Sequence, residues 1–167
     1  MSTNTAIAFE WDDRYLVGHQ VMDDTHREFA ARVNAMLCAA DGDFAAALDA
    51  FAQHAEEHFA SEQKLMERYG FPPRDCHVDE HERVLASVRE VLPLVAAGDV
   101  ETGRDLAKAL ADWFPGHSDY MDASLAAWVV KKVTNGAPVV LRRAMRGTGA
   151  QAPWDVEREP ESHHRIG

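Results

Sequence analysis

Seven residues of this 167-residue chain could together do metal chemistry: His26, His58, Glu62, His77, His81, His117 and Asp122. The densest stretch is His54–Glu62, HAEEHFASE, in which His58 and Glu62 stand four residues apart. On a helix that spacing is about 40° of rotation, so an imidazole and a carboxylate project from one face, one turn apart. The same face carries Phe44, Leu48, Phe51, Ala55, Leu65 and Tyr69 at the spacing of a core-facing stripe. An acid and an imidazole turned into an apolar core are costly unless something satisfies them. A single His–Glu pair could be satisfied by a hydrogen bond between its members. Three further stripes, however, also put His or Asp where an apolar residue is expected: His26; His77 with His81; and His117 with Asp122. Five imidazoles and two carboxylates exceed what one ion takes from protein, since structural zinc normally uses four ligands. Two ions bridged by the carboxylates account for the whole set. Imidazoles with bridging carboxylates point to iron, with manganese or zinc as lesser options.

Bringing the seven together requires four helices. The first stripe is Met22, His26, Phe29, Val33 and Leu37, with Asp23, Asp24 and Thr25 in its first turn and Asp41–Gly42–Asp43 as its expected end. A second helix is predicted from about Phe44 to Tyr69, stopped by Gly70–Phe71–Pro72–Pro73. The third carries His77, His81, Val84, Val88, Leu92 and Val95 and stops near Gly98–Asp99. The fourth carries Leu106, Leu110, Trp113, His117, Tyr120, Leu125 and Trp128, and loses its pattern near Thr134–Asn135–Gly136. No strand-like alternation of useful length appears. The expectation is an all-α, up-down-up-down antiparallel four-helix bundle with an N-terminal arm and a C-terminal tail. In that topology all seven residues fall at the same end of the bundle, while Cys38 and Cys76 fall at opposite ends and cannot pair.

One spacing conflicts with a regular helix. His117 and Asp122 are five apart, about 140° around an ideal helix, yet both must reach one centre. Pro115 also removes an N–H that would have bonded the carbonyl of Ala111. A kink or wide turn with i→i+5 bonding is therefore predicted between about Ala111 and Asp122.

Composition narrows the partners. A net charge of −11 argues against nucleic acid or an anionic membrane surface. The opening MSTNTAIAFEWDD has no basic stretch followed by an apolar one, and no apolar run is long enough to span a bilayer. The two cysteines have no metal-type spacing. A cytoplasmic protein is the expectation. Residues 1–133 form the expected bundle with its aromatic arm (Phe9, Trp11, Tyr15), which should pack across the helices. Residues 134–167, with scattered Arg and Pro and little periodicity, read as a poorly ordered tail.

His26 within DDTHREF, His58–Phe59 and Glu62 within HFASE, His77-x3-His81, and Trp113-x3-His117-x4-Asp122 resemble the signature of the hemerythrins, in particular the bacterial single-domain type. The resemblance covers roughly residues 9–130. It implies a non-haem di-iron centre that binds O2 reversibly in a four-helix bundle. Carried over, His77, His81 and His117 bind one iron and His26 and His58 the other, with Glu62, Asp122 and an oxo or hydroxo group as bridges. The first iron then has six ligands and the second five, which leaves the position for O2, azide or nitric oxide on the iron of His26 and His58. Phe29, Phe59, Trp113 and Phe114 are close enough in register to form a dry wall around it. Ser118 stands where relatives usually carry an apolar residue. His54, one turn before His58, reads as a neighbour of the site or a surface residue, and His19 as a helix cap or packing residue.

The expected function is oxygen storage, delivery or scavenging. It is binding rather than enzymatic, because neutral imidazoles outnumber the carboxylates that ferritin-like di-iron enzymes favour. The alternatives are oxygen, redox or nitric-oxide sensing through a protein partner, a di-iron enzyme reducing peroxide or nitric oxide, and a zinc-bearing structural bundle.

Overall fold

The computed structural model describes residues 9–136. Four antiparallel rods form a bundle: α1 (Gln20–Cys38), α2 (Asp41–Tyr69), α3 (Arg74–Ala96), and a fourth built from α4 (Val100–His117), a π-helical turn (Ser118–Asp122) and α5 (Ala123–Val133). The links between rods are short, so successive helices run antiparallel and pack as neighbours, with α1 closing the ring against α4. Among the described residues there is no strand, and no helix is long and apolar enough to cross a membrane.

The helix ends show why the chain turns where it does. The side chain of His19 caps α1, its Nδ1 accepting the N–H of Met22. Asp23 is turned back instead, and its carboxylate accepts the N–H of Val17 at 2.7 Å, which ties the arm to the helix. Helix α2 ends on Gly70 at φ 58°, a left-handed conformation that glycine adopts without a Cβ penalty. The N–H of Phe71 then returns to the carbonyl of Met66 at 2.9 Å, and Phe71 packs beside Met66. Asp99 caps α4 through the N–H of Thr102.

Two expectations about the elements need correction. Asp41–Gly42–Asp43 does not end the first helix: α1 stops at Cys38, and these residues form the first turn of α2. Two acids suit the positive end of a helix dipole, and Arg104 of α4 pairs with Asp41 there. Tyr120, expected on the inner stripe, is 79% exposed, because the π turn rotates it outward. Leu37, Val84 and Leu92 are only half-buried, with Met36, Leu85 and Val91 taking the interior beside them.

The core has two parts, with the seven polar residues between them. One half is Phe29, Val33, Met36, Phe44, Leu48, Phe51 and their partners on α3 and α4; the other is Met22, Met66, Phe71, Leu125, Ala126 and Val129. Gly103 shows how closely the first half is packed. A Cβ there would collide with the ring of Phe44 and come within 2.8 Å of Val95 Cγ2. The arm packs as expected, with Phe9 and Tyr15 edge-on to Phe114 at 5.9 and 5.7 Å. Cys38 and Cys76 are free and exposed. The tail expectation lies, from residue 137 onward, outside the described residues.

Candidate metal centre

The bundle brings all seven candidate residues together. His26 comes from α1, His58 and Glu62 from α2, His77 and His81 from α3, His117 from the last residue of α4 and Asp122 from the last residue of the π turn. Each is at least nine-tenths buried. The π turn answers the spacing problem: its extra residue closes the excess rotation, so His117 and Asp122 both face inward.

The two carboxylates lie between two groups of imidazoles. Glu62 Oε1 is 2.8 Å from Nε2 of His58 and 3.3 Å from Nε2 of His26. Its Oε2 faces the other way, 3.4 Å from His81 Nε2 and 3.5 Å from His77 Nε2. Asp122 repeats the pattern, with Oδ2 at 3.2 Å from His26 and Oδ1 at 3.1 and 3.2 Å from His77 and His117. The donor atoms of Glu62, His77, His81, His117 and Asp122 all lie within 4.8 Å of one another, and so do those of His26, His58 and Glu62.

Several of these contacts have the length of a hydrogen bond without its geometry. Both Asp122 oxygens and Glu62 Oε2 are buried with no hydrogen-bond partner among the described residues. Nε2 of His117 meets Nε2 of His81 at 2.9 Å and of His77 at 3.2 Å, so three imidazoles turn the same nitrogen to one point. Such a convergence of buried lone pairs is costly by itself and is satisfied by cations. The donor set fits two borderline-to-hard ions with imidazole and carboxylate ligands.

The electrostatics agree. Burial alone would depress His26 and His77, but the Asp122 and Glu62 carboxylates beside them prevail and raise both to about 9. Burial pushes His81 down to about 3. Burial would raise Glu62, yet His58 and the neighbouring imidazoles hold it well below the usual carboxylate range. Asp122 is lowered in the same way, against both burial and the Glu62 charge. In metal-free protein the two acids therefore remain ionised and draw positive charge to themselves.

An aromatic shell surrounds the cluster. Phe114 stands edge-on to His26 at 5.5 Å and stacks on Phe29 at 4.8 Å. Phe29 and Phe59 lie 5.9 and 5.2 Å from His58. Trp113 stacks on His117, and its indole N–H donates to Glu80 Oε1 at 2.8 Å. Ser118 is fully buried, and its hydroxyl donates to the carbonyl of Tyr15 at 3.4 Å, toward the arm. The sequence reading missed Glu80 and the Tyr15 carbonyl. Glu80 belongs to no apolar stripe, and a main-chain acceptor leaves no signature in residue types.

Residues 17–129 match the hemerythrin HHE cation binding domain. The chain is 41% identical to a bacteriohemerythrin of Ralstonia nicotianae over 123 residues, which is 74% of this chain and 90% of that one. It is 30% identical to a myohemerythrin of Sipunculus nudus over 118 residues, 68% of this chain and 88% of the relative. In fold it resembles a crystal structure of a hemerythrin mutant, with a TM-score of 0.66 and 21% identity over 72% of this chain and 95% of that one. With its matched region coinciding with the bundle that carries the buried histidine and carboxylate cluster, the chain belongs to the hemerythrin family.

Proposed function

We propose that the chain holds two iron ions and binds O2 reversibly, for oxygen storage, delivery or scavenging. His77, His81 and His117 hold one iron, and His26 and His58 the other. Glu62 and Asp122 would be shared between the two, together with an oxo or hydroxo group. The observation that carries this reading is the division of each carboxylate: Glu62 turns Oε1 toward His26 and His58 and Oε2 toward His77 and His81. Asp122 divides in the same sense. A single-ion site gives no reason for both carboxylates to face two ways.

Bound iron would supply the reversible two-electron exchange with O2. The protein's part is to keep that exchange reversible. Five imidazoles provide neutral donors in place of the carboxylate-rich shell of oxygen-activating bundles. Phe29, Phe59, Trp113 and Phe114 exclude water from the cluster, which slows hydrolysis and proton entry. The Ser118 hydroxyl bonds the Tyr15 carbonyl. We therefore read the activity as binding rather than catalysis, with azide and nitric oxide as further ligands of the same position.

The test is iron analysis combined with absorption spectra recorded through cycles of air and vacuum. Two irons per chain and bands that appear and vanish reversibly are expected. One iron per chain, or bands that never return after deoxygenation, would exclude a carrier.

A further inference from the structure

His54 is 8% exposed, although it stands one turn before the metal-facing residues and ligates nothing in the cluster. Its two nitrogens have different surroundings. Nδ1 lies 3.7 Å from Oε2 of Glu28 on α1. Arg32 holds the other oxygen of Glu28 at 3.0 Å, which leaves Oε2 for His54. Nε2 of His54 is buried with no hydrogen-bond partner among the described residues.

His58 has the complementary want. Its Nε2 faces Glu62, while its Nδ1 is likewise buried and without a partner among the described residues. The two rings are successive on one face of α2, with centroids 5.5 Å apart and planes inclined by 58°. One N–H···N bond after a small ring rotation, or one buried water, spans that gap. Phe29 packs near both rings, at 6.4 and 5.9 Å.

We propose that His54 is the positioning residue for His58. The Nδ1–H of His58 donates to Nε2 of His54, directly or through one water, and Nδ1 of His54 faces the Glu28 carboxylate. A carboxylate–imidazole–imidazole chain then runs from the surface of α1 to the nitrogen that faces the metal. A ligating imidazole needs its proton on the nitrogen away from the ion, and a partner on that side fixes both tautomer and ring orientation. The effect is largest where ligands are fewest, and His58 is one of only two imidazoles on its side of the cluster. A Leu at position 54 would pack as well but could not accept that proton. The inference rests on the two-metal reading above.

Metal-free full-length chain titrated with cobalt(II), as wild type, His54→Leu and His54→Gln, tests it. Wild type should bind two ions. His54→Leu should bind the first ion normally and the second about 10–100-fold more weakly. His54→Gln, whose amide oxygen accepts from the same N–H, should recover most of the loss. In zinc-loaded wild type, long-range proton–nitrogen NMR should show His58 protonated on Nδ1. That readout needs no variant, so misfolding of His54→Leu does not shelter the idea. Wild-type affinity for the second ion in His54→Leu, equal weakening in the Leu and Gln variants, or an unprotonated His58 Nδ1 would each overturn the positioning role while leaving two metals in place. A wild type that takes only one ion would overturn the two-metal reading itself, and this inference with it.

Discussion

The ring of Phe59 lies flat on the imidazole of His81, with centroids 3.9 Å apart and planes 7° from parallel. Trp113 covers His117 similarly, at 4.3 Å and 26°. Both aromatics also border surface grooves. Phe59 and His81 line one of about 280 Å³ between α2 and α3, with Glu56, Gln63 and Arg89. Trp113 closes another of about 210 Å³ between α3 and α4, with Glu80 and Arg83. Phe59 thus covers a face of His81 at the edge of one groove, and Trp113 stands between the other groove and His117.

Removing either ring should admit water without removing a ligand. Phe59→Ala and Trp113→Ala are expected to keep two irons per chain and to shorten the life of the oxygenated protein. Phe59→Ala should also lose about 3 kcal/mol of stability, the usual scale for a buried Phe cut to Ala. Iron analysis, timed autoxidation and denaturant unfolding check the three parts. Wild-type autoxidation in both variants would reduce these rings to packing.

The π turn carries one residue more than a regular helix holds, and this gives an asymmetric test. Deleting the exposed Tyr120 should relax Ser118–Asp122 into ordinary α-helix. His117 and the carboxylate would then stand four apart on one face, with Leu125, Ala126 and Val129 still in the core. Inserting an alanine after Tyr120 instead adds about 100° of rotation and turns α5 outward. The deletion should therefore unfold within a few degrees of wild type and bind two metals, whereas the insertion should be strongly destabilised and bind poorly. The opposite order in thermal melts would mean that the turn absorbs no extra residue.

How far the sequence allowed this to be read depended on the kind of signal. The bundle followed from four stripes and strong stops such as Gly70–Phe71–Pro72–Pro73, and all seven inward polar residues stood out because each interrupts an apolar stripe. Even the wide turn was legible, since His117 and Asp122 could not share a regular helix face. Local balances were harder. Asp41–Gly42–Asp43 suits a helix end and a helix start equally by composition, and the decision came from Arg104, sixty-three residues away. Tyr120 could not be placed without knowing where the extra residue sat. The Ser118–Tyr15 bond depends on how the arm crosses the bundle, which no periodicity encodes.

Protonation should govern metal uptake. His26 and His77 are raised to about 9, so their contribution to the stability of the metal-free fold is complete below about pH 6.5 and is lost as pH rises through 9. His81, lowered to about 3, stays neutral in the fold while the unfolded chain takes up a proton, so stability falls as pH drops below about 6.5. Glu62 and Asp122, both lowered, add to that loss at more acidic pH. Metal-free protein should be most stable near pH 6.5. Metal binding needs neutral imidazoles, so at pH 7 it should release about two protons, from His26 and His77. Calorimetry in buffers of different ionisation enthalpy measures this number, which should fall toward zero as pH passes 9. Release that is independent of pH would show that these two imidazoles are not the paired ones.

Exogenous ligands should bind on the iron of His26 and His58 alone. On the proposed assignment, an ion held by His77, His81 and His117 would take three imidazoles, two carboxylate oxygens and the bridge, filling six positions, while its partner would take one imidazole fewer. Aromatic rings border this side of the cluster as they do the other, Phe114 against His26, and Phe29 and Phe59 against His58. Those rings make the surroundings of His26 and His58 apolar. His58→Ala should therefore not open a new position but lose the second iron, because one imidazole remains to hold it. A crystal structure of the oxidised, iron-loaded protein with azide, paired with iron analysis of His58→Ala, decides the matter. Azide on the three-histidine iron, or two firmly held irons in His58→Ala, would mean that the open position belongs to the other metal.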